Sequence, residues 1–217
     1  LIIKELQARQ PLDSVLVICP KPLVVESKWR NELKRFDEDF VELDSQTLRH
    51  CIDEARLEGV WPSRFRKAIL PYSLLDERLL LGSNQGRTTE PGLLGLQPPV
   101  RFDLIIVDEA HHVRNRDTWR HRVVKHLLET AEAAVLVTAT PIQTGSNDLF
   151  TLLQLLRPDL MTAPQDFDRM REPNAFISRA ETLARQGSDG WQEAVLSELE
   201  SALGTEWGRA VLVADPR

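Results

Sequence analysis

Cysteine is scarce, with only Cys19 and Cys51 in 217 residues. Two cannot staple a disulfide scaffold, and Cys19 closes an apolar run, which suits a reduced, buried thiol in a cytoplasmic protein. Long apolar runs are missing too. No stretch approaches the roughly 18–20 residues of a helical membrane span. No basic stretch leading into an apolar core follows Leu1, so no signal peptide is expected. The chain opens on Leu1 rather than Met and reads as an excised piece. Positive charge does not dominate: 27 Lys and Arg against 33 Asp and Glu leave a formal charge of −6. That argues against a histone-like or polybasic binder but leaves room for a narrow site touching a few phosphates. Zinc signatures of the His-Glu-x-x-His or Cys-x-x-Cys kind are absent, as is the Gly-x-Ser-x-Gly elbow of serine hydrolases. His121 and His126 stand about 140° apart around a helix, and the adjacent His111 and His112 are expected to diverge. The tryptophans Trp29, Trp61, Trp119, Trp191 and Trp207 are scattered, which suits burial better than a base-stacking platform.

What remains is globular in proportion, 42% hydrophobic and 28% charged. Residues 1–9 read as the end of a helix. Ser14 to Cys19 is apolar on both faces, as a buried parallel strand is. Leu23 to Phe36 carries Leu23, Trp29, Leu33 and Phe36 among charges, an amphipathic helix. Val41 to Leu43 suggests a short strand, and Ser45 an N-cap for a helix to Leu57. Lys67 to Leu70 and Phe102 to Val107 are strands. Gly82 to Pro99, rich in Gly and Pro, reads as a loop or flexible insertion. A helix over about 117–131, a strand at Ala134 to Val137 and a leucine-rich helix at Asn147 to Leu156 follow. Residues 166–203 look helical, and Ala210 to Val213 suggests a last strand. Alternating strands and helices predict a parallel sheet covered on both faces.

Two segments carry chemistry. Asp108-Glu109-Ala110-His111 follows the strongest strand. In such sheets ligands sit beyond the carboxyl ends of the strands. A carboxylate there can hold Mg²⁺, and a second can deprotonate an attacking water. Taken alone, an Asp-Glu pair in this place is more often a helix cap. The second segment, Val137-Thr138-Ala139-Thr140-Pro141, follows the next predicted strand. Taken alone it would be a turn; its spacing from the acid pair argues for more.

Together these segments resemble motifs II and III of superfamily-2 helicases, in the Swi/Snf and RapA-like branch of DNA translocases. Cys19-Pro20-Lys21-Pro22-Leu23-Val24 through Trp29-Arg30-Asn31-Glu32-Leu33 resembles motif Ia. Ile69-Leu70-Pro71-Tyr72-Ser73 resembles motif Ib. Pro141-Ile142-Gln143, Asn147 to Phe150 and Leu152-Leu153 resemble the helix after motif III, and Glu172 to Ile177 resembles a RapA-like segment. The resemblance implies ATP and Mg²⁺ as cofactors. Asp108 would hold Mg²⁺, Glu109 would activate water, and His111, Thr138, Thr140 and Gln143 would couple nucleotide state to a second motor domain. Pro20, Lys21, Tyr72 and Ser73 would follow a nucleic-acid backbone, that of double-stranded DNA by the branch resembled, in a bacterial, nucleoid-associated protein.

The implied fold is α/β. Residues 1–160 would be a RecA-like first motor domain, incomplete at its N-terminus, with a mainly helical extension over 161–217. None of the 10 glycines is followed by Lys, so the family's Gly-Lys-Thr/Ser phosphate loop is not in these residues. By the same resemblance, the strand carrying that loop would lie beside Ala134 to Val137. That edge is therefore expected to need a cover, Ala210 to Val213 being one candidate.

Overall fold

The computed structural model describes residues 2–85, 88–139 and 146–213. They form two compact units, Leu1–Leu156 and Arg157–Arg217. The first contains, in order, α1 (Ile2–Gln7), β1 (Val15–Cys19), α2 (Lys21–Val25), α3 (Lys28–Lys34), β2 (Val41–Glu42), α4 (Ser45–Glu58), β3 (Lys67–Pro71), α5 (Glu77–Leu81), β4 (Gly82–Gln85), β5 (Thr88–Pro91), β6 (Leu104–Val107), α6 (Trp119–Thr130), β7 (Ala133–Leu136) and α7 (Ser146–Leu156). The second contains α8 (Pro164–Gln186) and α9 (Trp191–Gly204), which pack on each other and share an Arg179–Glu198 ion pair at 2.9 Å.

The main sheet has five strands in the order β2-β3-β1-β6-β7, and every pairing is parallel. β1 lies in the middle, and all five of its residues are buried. Its side chains alternate between two cores, as a period of two requires. Leu16 and Ile18 join Leu70, Ile105 and Val107 on the face covered by α4 and α6. Val15, Val17 and Cys19 join Ile69, Leu104 and Ile106 on the face covered by α1 and α3. Each fully buried Val, Leu or Ile contributes roughly 1.5–3 kcal/mol, which is why apolar runs of four or five residues suffice here. Cys19 and Cys51 are both buried and unbridged, and burial pushes each thiol up to about 12.

Several sequence expectations are corrected. The one helix expected over 23–36 is two, broken at Ser27, whose backbone is left-handed with φ 48°. The cap of α4 is Asp44, whose carboxylate accepts the Thr47 N–H at 2.7 Å, and not Ser45. The expected loop at 82–99 contains an antiparallel ribbon of β4 and β5. Gly82 makes it possible: φ is 79°, and a Cβ there would sit 2.2 Å from the Glu90 carbonyl oxygen. An ion pair of Arg78 with Glu90 and an Arg49 bond to the Pro91 carbonyl at 2.9 Å fix the ribbon. Beyond it Leu93, Leu96 and Val100 enter the core. The last expected strand is helical, within Gly208–Val213. β7 is the outer strand: among the described residues its one partner is β6, and its four residues are half-buried.

Glu38 ties the N-terminal segment to the sheet. It is 3% exposed and bridges Lys4 at 2.6 Å and Lys67 at 2.7 Å. Burial alone would raise its pKa, but hydrogen bonds from Lys4, Lys67 and Gln7 outweigh burial and lower it to about 2. A depressed carboxylate stabilises the fold fully above its unfolded value, near 4.5, and loses that contribution as pH falls toward 2. Glu38→Gln is therefore expected to cost roughly 3 kcal/mol at pH 7. Urea titrations of wild type and variant should converge as pH is lowered from about 5 toward 2.

Candidate nucleotide and nucleic-acid site

Parallel pairing sets all the strand ends on one side. Reading across the sheet, Tyr72 and Ser73 follow β3, Pro20 and Lys21 follow β1, Asp108 and Glu109 follow β6, and Val137 and Thr138 follow β7. Segments far apart in sequence thus become neighbours because their strands are neighbours. Thr140 and Gln143 lie outside the described residues.

Asp108 is held from several directions. Its N–H donates to the Ile18 carbonyl at 2.8 Å, continuing the ladder past β6. Its carbonyl accepts the Tyr72 hydroxyl at 2.8 Å. One carboxylate oxygen accepts the Trp29 indole N–H and the other the Glu109 backbone N–H, both at 2.8 Å. Glu109 has a left-handed backbone, φ 50° and ψ 50°. A non-glycine residue held so carries strain of the kind that clusters at functional sites. The bend starts the 3₁₀ turn Ala110–Val113.

His111 Nδ1 lies 3.2 Å from Glu109 Oε2 but off the hydrogen-bond direction, and among the described residues this buried nitrogen has no hydrogen bond. The His111 and His112 rings do not diverge as expected: their centroids are 4.4 Å apart with 33° between planes. Burial lowers the pKa of His112, the neighbouring His111 adding to the effect, so His112 stays neutral near pH 7. His121 is buried, and its Nδ1 meets the Val113 carbonyl at 2.7 Å, bracing the turn against α6. Among the described residues no three His, Cys, Asp or Glu side chains gather as a metal cage.

Backbone bonds join the acidic segment to the threonine segment. Val137 N–H donates to the Val107 carbonyl at 2.8 Å, and Ala110 N–H donates to the Val137 carbonyl at 2.9 Å. Arg114 pairs with Asp148 of α7 at 3.2 Å, and Arg116 lies 5.3 Å from the centre of the Phe150 ring.

The residues expected along nucleic acid divide. Lys21 and Ser73 are exposed and Pro20 is half-buried. Tyr72 is 4% exposed, with its hydroxyl committed to Asp108, so it supports the site from beneath rather than lining a surface. Sequence alone assigned no role to Trp29 or Arg114. The tryptophan's place in motif Ia was the available signal, and nothing local marked the arginine. Clefts of about 570 and 680 Å³ lie elsewhere: Ser45, Arg49 and Arg78 help line the first, Asp13, Trp61 and Asp103 the second.

The profile of the SNF2-related domain matches residues 2–203. The chain belongs to that family. It is 29% identical over 184 residues to RNA polymerase-associated protein RapA of Pasteurella multocida, covering 83% of this chain and 18% of that protein. It is 35% identical over 69 residues to the ISWI chromatin-remodeling complex ATPase ISW1 of Saccharomyces cerevisiae, covering 32% of this chain and 6% of that protein. Among solved structures, the Sulfolobus solfataricus SWI2/SNF2 ATPase core in complex with dsDNA superposes with TM-score 0.53 at 19% identity, over 92% of this chain and 35% of that one. The RecA-like sheet with flanking helices is thus the fold of this SNF2-related chain. It spans less than a fifth of the curated relatives' length.

Tyr72 is the chain's one tyrosine. Burial raises its pKa above the ordinary 10, and nearby Asp108 adds to the effect. Phenolate absorbance at 295 nm should therefore stay flat through about pH 11, rising only when far-UV circular dichroism shows unfolding.

Proposed function

We propose that this SNF2-related chain is part of the first motor domain of an ATP-dependent translocase that moves on nucleic acid, duplex DNA being the substrate. The observation carrying the proposal is Asp108-Glu109-Ala110-His111 at the carboxyl end of β6, hydrogen-bonded to the strand end that leads into Thr138. The DNA ligand named for the Sulfolobus solfataricus relative is consistent with this reading.

Asp108 would hold Mg²⁺, since each of its carboxylate oxygens keeps a lone pair beyond the bond it accepts. Bound there, Mg²⁺ would supply charge neutralisation on the phosphate oxygens. Glu109 accepts a proton from the attacking water; its side chain is 36% exposed, open enough to meet one. His111 and Thr138 pass the nucleotide state on, through the backbone bonds between their segments. Lys21 and Ser73 contact phosphates, and Pro20 shapes the turn that presents Lys21. Such contacts are indifferent to base sequence, so the site tracks a strand rather than reading it. Thr140 and Gln143 would share in that coupling, with a second motor domain of the parent chain as its recipient.

The alternative reading is a degenerate motor domain that kept the fold, lost nucleotide binding and serves as a nucleic-acid or protein platform; the intact Asp108, Glu109 and His111 set favours the first reading. The readings part on Glu109. In the full-length protein, Glu109→Gln should leave ATP affinity nearly unchanged and lower nucleic-acid-stimulated hydrolysis by about 100-fold or more. Unchanged turnover would remove Glu109 from the chemistry; absence of ATP binding in the wild type would favour the platform. The 217 residues alone lack the loop that cradles phosphates. Purified by themselves, they should show no nucleic-acid-stimulated phosphate release in a steady-state assay.

A further inference from the structure

We infer that Trp29 is a positioning residue for Asp108, its indole N–H fixing the carboxylate for Mg²⁺ and tying that orientation to the segment that begins at Pro20 and Lys21. The inference rests on the reading of Asp108 as the Mg²⁺ ligand.

Trp29 stands 79 residues from Asp108 in sequence, yet its Nε1 reaches Asp108 Oδ2 at 2.8 Å. The Glu109 N–H occupies Oδ1 at the same distance. Two donors on opposite oxygens set both the plane and the rotation of the carboxylate. The indole is a donor only and does not titrate, so it orients the acid at any pH at which the fold persists. It also carries no charge. A lysine or arginine in this place would orient Asp108 equally well but would repel a divalent cation at short range.

Trp29 is half-buried, packed on the core beneath α1 and α3, with Leu33 on the same helix. α2, which begins at Lys21 directly after β1, packs against α3. A ligand that shifts the α2–α3 pair therefore shifts the donor on Asp108. This is a physical link between the phosphate-contacting segment and the metal carboxylate, and the break at Ser27 turns the chain between them.

Two substitutions separate the N–H from the bulk of the ring. In Trp29→His, Nε2–H takes the place of Nε1–H on a five-membered ring joined at the same carbon, and the benzo ring is lost. Trp29→Phe keeps more bulk and loses the donor. The readout is the Mg²⁺ concentration giving half-maximal binding of a fluorescent ADP analogue to the full-length protein. Measurements are made at about pH 9, far enough above the ordinary imidazole value to keep the ring neutral beside the Asp108 carboxylate, together with Mg²⁺-free affinity and thermal melting. Trp29→Phe should raise the Mg²⁺ midpoint about 10-fold and leave Mg²⁺-free affinity unchanged. Trp29→His should stay within about 3-fold of wild type despite a lower melting temperature. If Trp29→His is the more impaired of the two in Mg²⁺ dependence, packing alone is at work and the inference is overturned. Should Trp29→Phe fail to fold, Trp29→Met, flexible enough to fill the space, carries the same expectation. Asp108→Asn is the control. If it shifts the midpoint and the donor-free variants do not, the role of Trp29 falls while the ligand reading stands. If it does not shift the midpoint, the ligand reading falls and the inference with it.

Discussion

Everything at the candidate site hangs on β1. It is paired on both sides, with β3 and with β6, and buried on both faces. A strand so enclosed must satisfy every N–H and C=O through its neighbours, because no water reaches them. Register is then fixed: Cys19 faces Pro71, and Ile18 faces Val107. Fixing the register fixes where each chain leaves the sheet. Lys21, Ser73 and Asp108 are neighbours for that reason, and not through any attraction among themselves.

Asp108 is where the consequences meet. A carboxylate at the end of a buried strand would be costly if its hydrogen-bonding capacity went unused. Here uncharged donors, the Trp29 indole and the Glu109 amide, occupy its oxygens, while the Tyr72 hydroxyl takes its carbonyl. Neutral donors satisfy the acid without cancelling its charge. This differs from Glu38, where two lysines surround a buried carboxylate and hold its pKa at about 2. The first arrangement leaves a charge available to a ligand; the second consumes one to join α1 to the sheet.

The acidic turn is also bound to segments later in the chain. Ala110 N–H donates to the Val137 carbonyl, His121 meets the Val113 carbonyl, and Arg114 reaches Asp148 of α7. The turn, β7 and α7 are thus held to one another by directional contacts. A displacement at Glu109 would have short routes to the threonine segment and to α7.

Local chemistry determined much of this in the sequence. Buried parallel strands need both faces apolar, so β1, β3 and β6 announce themselves as Val-Leu-Val-Ile, Ala-Ile-Leu and Leu-Ile-Ile-Val. The Asp-Glu-Ala-His segment and Thr138 were legible because each directly follows such a run. Other features were decided only by tertiary structure. The left-handed Ser27 that splits α2 from α3, the pairing of β4 with β5 and the helical 208–213 depend on what lies nearby in space, and apolar pattern alone cannot distinguish a short strand from a helical turn. Tyr72 was expected on a surface and is buried, because exposure is a property of packing. The Trp29–Asp108 bond spans 79 residues: sequence specifies a donor and an acceptor, but only the shared end of a folded sheet brings them within 2.8 Å.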